Sequence, residues 1–340
     1  MIDQTPSIGN LRKILSGNGC NVPGRLRHVL SAIAMFLLIS ACSGTFSQNS
    51  SSHQPSLPVS DCHIVKHAMG ETCVPNNLQR VVVLGGLDYV LSLGIKPVGS
   101  DELEADFPHL KDKTKGIENV GSVNIPNLEK ILQLKPDFIL SYRDGLKENY
   151  DTLSKIAPTV IFPFEHSDKW KERLMQYAET LDRIDVAKQM ITDYYARLEA
   201  FKDQMGERLN QLEVSIVRIY PNQIVVYLKD SFCGTILADA GVSRPAYQNQ
   251  MGGQQDISKE RIHDLDGDAM FVWTYGYNAE QAQQANSALK RLKADPLWSQ
   301  LAVVKQGKVY EVPGYWIGDG PLAANAVVDD LFKYLVGEKE

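Results

Sequence analysis

Two α/β lobes with central, mainly parallel sheets, joined by one long α-helix, are what this 340-residue sequence predicts, and three observations predict them. Before residue 168, short β-branched runs alternate with single helical stretches. After residue 212 the same alternation resumes. Between them, residues 168–212 read DKWKERLMQYAETLDRIDVAKQMITDYYARLEAFKDQMGERLNQL, with apolar side chains at Leu174, Tyr177, Ala178, Leu181, Ile184, Ala187, Ile191, Tyr194, Leu198, Phe201, Met205 and Leu209. That is helix spacing, with charges on the other face. From about Asp185 onward there is no Pro and only Gly206 as a weak breaker, so one helix of about 28 residues and about 42 Å fits at 1.5 Å per residue. Taken alone, such a helix is more often a surface helix of one large domain. The alternation on both sides makes it a rod between lobes.

The chain starts with a segment that belongs to neither lobe. Arg25 and Arg27 precede VLSAIAMFLLISA (29–41), too short an apolar run for a comfortable transmembrane helix and suited to a signal-peptide core. It ends in Ile39-Ser40-Ala41-Cys42, where small residues suit a signal peptidase and the Cys offers a thiol for acylation. The tetrapeptide resembles the bacterial lipobox, which implies cleavage of residues 1–41 and a lipid on Cys42; an uncleaved anchor with an incidental Cys is the alternative. Residues 42–60 follow as a polar Ser/Pro/Gln tether with nothing to bury.

The remainder is ordinary globular material, the whole chain being 44% hydrophobic and 22% charged. Cleavage removes Arg12, Lys13, Arg25 and Arg27 against Asp3, which moves the formal charge from −6 to −9. So acidic a body is a poor nucleic-acid binder, and an anionic ligand would have to meet locally placed positive charge. Cys233, beside Phe232, reads as a buried apolar thiol. Cys62 and Cys73, in an exported and oxidising setting, are expected to form a disulfide. A zinc site is the alternative there, because His63 and His67 stand four apart between the two cysteines.

From residue 80, RVVVLGG is a strand closed by glycines, LDYVLSLG a helix and IKPVGS a second strand. The unit recurs as NIPNLEKILQLKPDFILSYRDG, with Asn127 capping a helix to Leu134 and a strand over 137–141; 157–164 adds another. Beyond the long helix, SIVRIY and QIVVYL are strands split by Pro221-Asn222, and FCGTILADAG is a short helix ended by Gly241. ISKERIHDLDGDAMFVWTYG repeats helix then strand. A helix over 281–293, the strand KVYEVP and a helix over 321–335 complete the second lobe. The expected divisions are therefore 61–167, 168–212 and 213–340, with a ligand cleft between the strand ends of the two lobes.

No G-x-S-x-G, Walker A, G-x-G-x-x-G or H-E-x-x-H motif occurs, so nothing in the sequence suggests an enzyme. Asp264, Asp266 and Asp268 resemble a calcium loop only faintly, since Gly267 comes at position 4 and Tyr275 at position 12. What stands out is guanidinium and aromatic groups at predicted strand ends or in the loops behind them: Tyr142, Arg143, Arg218, Tyr220, Arg244, Trp273, Tyr275, Tyr277, Tyr315 and Trp316. Arg forks suit carboxylate or hydroxamate oxygens, and aromatics make rigid apolar walls. The predicted ligand set is Tyr142, Arg143, Arg218, Tyr220, Arg244, Trp273, Tyr275 and Trp316, with no protein group coordinating metal directly.

HAMGETCVPNNLQRVVVLGG, LSLGIKPVGS, IPNLEKILQLKPDFIL, SFCGTILADAGVSRP, DISKERIHDLDGDAMFVW and WIGDGPLAANAVVDDLFKYL carry a family resemblance. Through them the mature chain resembles the substrate-binding lipoproteins of bacterial iron ABC importers, the ferric siderophore and ferric citrate group. The resemblance implies two Rossmann-like lobes on a helical backbone, the class III periplasmic binding protein fold, with only small hinge closure. It implies a monomer without a cofactor that carries an Fe(III) chelate outside the cytoplasmic membrane, held there by lipid on Cys42. Its partner would be an ABC permease dimer with its ATPase, met through one exposed Glu per lobe. By position in NLEKILQLKPD and ISKERI these are Glu129 and Glu260. Both also sit where a first-turn acid simply stabilises a helix. Cobalamin or haem on the same fold, and a cell-envelope enzyme working in the cleft, are the rival readings. Bare zinc or manganese would need convergent His or acids that the sequence does not assemble.

Overall fold

The computed structural model describes residues 61–101, 108–142, 144–163, 169–276 and 279–337. The predicted signal segment, the tether, Cys42, Arg143 and Tyr277 lie outside the described residues.

A hairpin opens the described chain, β1 (Cys62–His67) antiparallel to β2 (Gly70–Pro75), with Cys62 and Cys73 joined as a disulfide, Cα atoms 5.6 Å apart. The thiols are thereby taken from any zinc site. His63 Nδ1 instead lies 3.0 Å from Asn76 Oδ1, and His67 Nε2 lies 2.8 Å from Thr72 Oγ1.

The first lobe is built from β3 (Val81–Leu84), α1 (Leu87–Ser92), β4 (Gly99–Ser100), β5 (Glu118–Asn119), α2 (Leu128–Gln133), β6 (Phe138–Ser141), α3 (Tyr150–Ile156) and β7 (Thr159–Ile161). Its five strands lie in the order β5-β4-β3-β6-β7, all pairs parallel. Val81–Leu84 and Phe138–Ser141 are buried at every position, because helices cover both faces of a parallel sheet. Asn127 caps α2, its side chain accepting from the Lys130 amide at 2.9 Å.

Two helices, α4 (Trp170–Thr180) and α5 (Ile184–Met205), lead to the second lobe. The predicted 28-residue helix is thus 22 residues long, about 33 Å at 1.5 Å per residue. Asp182 turns left-handed at φ 54° and separates α4 from α5; Gly206, also at φ 54°, ends α5 and starts a 3₁₀ stretch, Gly206–Gln211. Apolar periodicity runs through both points, so the pattern could not reveal them. Ala187 packs in the core of the first lobe, whereas Tyr194, Leu198, Phe201 and Met205 pack in that of the second. One straight helix therefore belongs to both cores.

The second lobe contains β8 (Val214–Ile219), β9 (Ile224–Tyr227), α6 (Phe232–Asp239), β10 (Gln254–Ile257), β11 (Ala269–Thr274), α7 (Ala279–Lys293), α8 (Pro296–Gln300), α9 (Ala302–Lys305), β12 (Val309–Glu311) and α10 (Pro321–Leu331). Its order is β10-β9-β8-β11-β12. β8, β11 and β12 pair parallel, but β9 pairs antiparallel with both neighbours, so this sheet is mixed. The short β8–β9 connection dictates it: a tight turn can join only antiparallel strands. β10 escaped prediction because QQDI has one buried position and no alternation, the mark of a polar edge strand. The expected helix around Glu260 is a 3₁₀ stretch, Lys259–Leu265, and α10 passes into a π turn at Phe332–Val336.

Candidate ligand-binding site

The segments behind the C-terminal ends of β3, β6 and β12 meet on one seam, and Tyr220 and Tyr275 stand at the same end of the second sheet, since β8, β11 and β12 run parallel. Gly85, Gly86 and α1 follow β3, and Tyr142 follows β6; on the other side Tyr220 follows β8, Tyr275 follows β11, and residues 312–320 follow β12. The seam is held by direct bonds. Tyr142 donates its hydroxyl to Asp319, and Asp88 of α1 accepts the α10 amides of Leu322 and Ala323 at 2.8 and 2.9 Å. Gly86, at φ 89°, lets the β3–α1 turn pass against Tyr142 and Tyr177, where a Cβ would collide with the Tyr177 hydroxyl.

The wall of the second lobe centres on Arg218. Its guanidinium carbon lies 3.9 Å from the Tyr275 ring centroid and 4.4 Å from that of Tyr220, and Nη1 donates to the Tyr227 hydroxyl at 2.7 Å. Tyr220 and Tyr275 meet edge to face at 6.1 Å. Arg218 is 5% exposed, and its Nε finds no hydrogen-bond partner among the described residues. A desolvated cation with a donor to spare, flanked by two half-buried phenols, can receive the oxygens of an anion. Tyr220 also lines a cavity of about 590 Å³, floored by Ile224, Ile257 and Leu292 with Arg291 at its edge.

Three members of the predicted set lie elsewhere. Arg244 is buried inside the second lobe, Nε donating to the Val214 carbonyl at 2.8 Å and Nη2 to Tyr227 O and Gln248 Oε1 at 2.6 Å each. Burial pushes its guanidinium down to about 10, and it ties β8 to β9 rather than facing the seam. Trp316 stacks on Phe271 at 4.3 Å and gives Nε1 to Asp330 at 2.8 Å, so its contacts stay within the second lobe and its donor is already used. Trp273 is 2% exposed and stacks on Tyr227, Arg218's hydroxyl partner, at 5.4 Å. An Arg or Trp after a strand looks the same in sequence whether it points to the seam or back into the lobe.

Arg173 and Asp319 stand outside the predicted set yet reach the seam. Arg173, on α4, is 1% exposed, its guanidinium carbon 4.4 Å from the Tyr142 ring centroid. It was hidden among the charges of an amphipathic helix. Asp319 lies in GDGP, just ahead of the Pro that opens α10. Glu129 and Glu260 are both exposed in the first turns of α2 and of the 3₁₀ stretch. Glu129 has Ile125 and Leu132, 79% and 59% exposed, close by in sequence. Hydrogen bonds from its own amide and from Ser258 hold the Glu260 carboxyl below the ordinary range.

Two α/β lobes sharing a helical spine, with strand ends turned to a common seam, are the architecture of a solute-binding protein. The periplasmic binding protein family model matches residues 85–315, and the chain belongs to that family. It is 35% identical over 329 residues to a probable siderophore-binding lipoprotein, YfiY, of Bacillus subtilis (strain 168), covering 91% of this chain and 99% of that protein. The Fe(3+)-citrate-binding protein YfmC of the same strain is 28% identical over 282 residues, covering 81% and 85%. Among solved structures, SirA of Staphylococcus aureus complexed with staphyloferrin B superposes with a TM-score of 0.69 at 29% identity, covering 82% of this chain and all of that one.

Proposed function

We propose that this chain captures an anionic ferric chelate, of siderophore or citrate type, in the seam between its lobes and delivers it to an ABC permease. The observation that carries the reading is Arg218, buried between Tyr220 and Tyr275 with Nε unpaired among the described residues. Tyr142 supplies a donor from the opposite lobe. Iron arrives already chelated, so the protein supplies cation and phenol donors to the chelate's outer oxygens and no metal ligand of its own. Capture needs no covalent step, and the protein acts as a carrier rather than an enzyme.

The family and the Arg25–Cys42 sequence support the rest of the reading. Lipid on Cys42 keeps the protein at the outer face of the cytoplasmic membrane, and residues 43–60 let a monomeric body stand off from it. Glu129 and Glu260 present the loaded form to a permease dimer coupled to its ATPase. Tryptophan-fluorescence titration with ferric citrate and ferric hydroxamates tests the central claim. Saturable quenching by at least one chelate is expected, and its absence with all of them would overturn the proposal.

A further inference from the structure

Across the seam the lobes exchange carboxylates. Asp88, in the first turn of α1, is 5% exposed and takes the first amides of the eleven-residue helix α10 on its two oxygens. His109 Nε2 lies 3.2 Å from the same carboxylate. In the opposite direction, Asp319 reaches from the second lobe to the hydroxyl of Tyr142 in the first. A side chain at Gly320, between these two contacts, would run into the Asp88 carboxylate.

Behind Tyr142 stands a buried cation. The Arg173 guanidinium carbon lies 4.4 Å from the Tyr142 ring centroid and 6.0 Å from that of Tyr89, and Nη1 is 3.5 Å from the Tyr89 hydroxyl. Burial opposes its charge, but Tyr89, Asp319 and Tyr142 more than offset that, and Arg173 stays cationic. A guanidinium on a phenol's ring draws on its electron density and makes the hydroxyl a stronger donor to an anion. The anion that receives this donor is the protein's own carboxylate, brought from the other lobe.

We infer that Tyr142, backed by Arg173, is a carboxylate-recognition point of the seam, and that Asp319 holds it as an internal stand-in for a ligand carboxylate. The inference rests on the reading of the seam as a chelate site and adds the chemical class. Chelates presenting carboxylate oxygens, as ferric α-hydroxycarboxylates do, compete with Asp319 for Tyr142. A neutral ferric trihydroxamate has no such group. Asp319 therefore sets a threshold that carboxylate chelates must overcome, while Asp88 keeps the lobes in register on α10. Arg173 is a positioning residue, acting on the ligand through the Tyr142 ring.

The test uses the full chain and its variants Asp319→Asn, Tyr142→Phe, Arg173→Lys and Arg173→Met, each first checked for an unaltered cooperative melt. Tryptophan quenching is titrated with ferric citrate and with a neutral ferric trihydroxamate. Asp319→Asn is expected to bind ferric citrate about tenfold tighter, and Tyr142→Phe about tenfold weaker, with the trihydroxamate within about twofold in both. Arg173→Met should weaken citrate binding and Arg173→Lys should recover part of it, since charge over the ring is what acts. Equal shifts for both chelates, or weaker citrate binding in Asp319→Asn, overturn the inference. Should the wild type answer no ferric chelate, the functional proposal fails instead, and amide hydrogen exchange of the free chain decides on the Tyr142–Asp319 contact. Faster exchange around residues 314–320 in Asp319→Asn and Tyr142→Phe supports it, and unchanged exchange overturns it.

Discussion

Arg218 and Tyr275 sit 3.9 Å apart, guanidinium carbon to ring centroid, with Tyr220 on another side of the same cation at 4.4 Å. A planar, weakly hydrated cation can lie between two phenols and keep its edge for a ligand, whereas an ammonium cannot stack. Arg218→Lys should therefore cost ferric citrate binding about tenfold or more, on the order of one charge-assisted hydrogen bond. Fluorescence titration checks it, and an unchanged dissociation constant would remove Arg218 from the site.

Arg244 should behave in the opposite way. Its guanidinium satisfies Val214 O, Tyr227 O and Gln248 Oε1 inside the lobe. Arg244→Met takes this donor from the Val214 and Tyr227 carbonyls and leaves Gln248 Oε1 with the Ile216 amide, at a cost of about 3 kcal/mol of stability. Denaturant unfolding should register that loss, while chelate affinity in the folded fraction stays within about twofold. A selective loss of affinity without destabilisation would return Arg244 to the ligand set.

The two arginines show where sequence reading stops. Alternation, caps and apolar runs reveal which segments are strands and helices, since burial on both faces of a parallel sheet leaves runs such as VVVL and FILS. Arg218 sits inside β8 and Arg244 in the loop after α6, and each is compatible with a seam or a core position until the sheet order is known. The antiparallel β9 and the polar edge strand β10 depend on long-range pairing, as does Asp319's reach to Tyr142 across 177 positions. Periodicity carries no information about such pairs.

Asp330 predicts a pH dependence. Burial raises its carboxyl above the ordinary range, against the Trp316 and Tyr315 donors that lower it. A folded-state value above the unfolded one means the native state holds its proton longer, so Asp330 favours folding at low pH and that contribution is lost as pH rises through its folded value. Asp330→Asn keeps a carbonyl acceptor for the two donors and removes the buried charge. Its melting temperature relative to wild type should therefore rise between acidic and neutral pH. A constant difference across that range would contradict the assignment.

The spine limits motion. α5 has no Pro or Gly between Ile184 and Met205, and its side chains are packed into the cores of both lobes. Asp88 of α1, which accepts two amides of α10, and Lys171, whose Nζ lies 2.5 Å from Asp239 of α6, add further ties to the second lobe. Ligand closure should therefore be a few degrees of tilt, with little change in the radius of gyration by solution scattering. A large open-to-closed swing would show that the helix is not the controlling element.

Docking and binding should separate cleanly, because Glu129 and Glu260 are exposed, with Glu129 bonded to Gln133 and Glu260 to its own amide and Ser258. Each sits in a first turn, where an exposed acid adds only modestly to its own helix end, so reversal of both should lower stability only slightly. Glu129→Lys with Glu260→Lys should leave chelate affinity intact yet abolish uptake of iron-55 chelate by cells, because two cations would then face the permease's complementary charge. Each single reversal should be intermediate, as two spatially separate contacts predict. Loss of affinity in the double variant would show that these residues act on the ligand site; uptake at the wild-type rate would show that the permease is met through another surface.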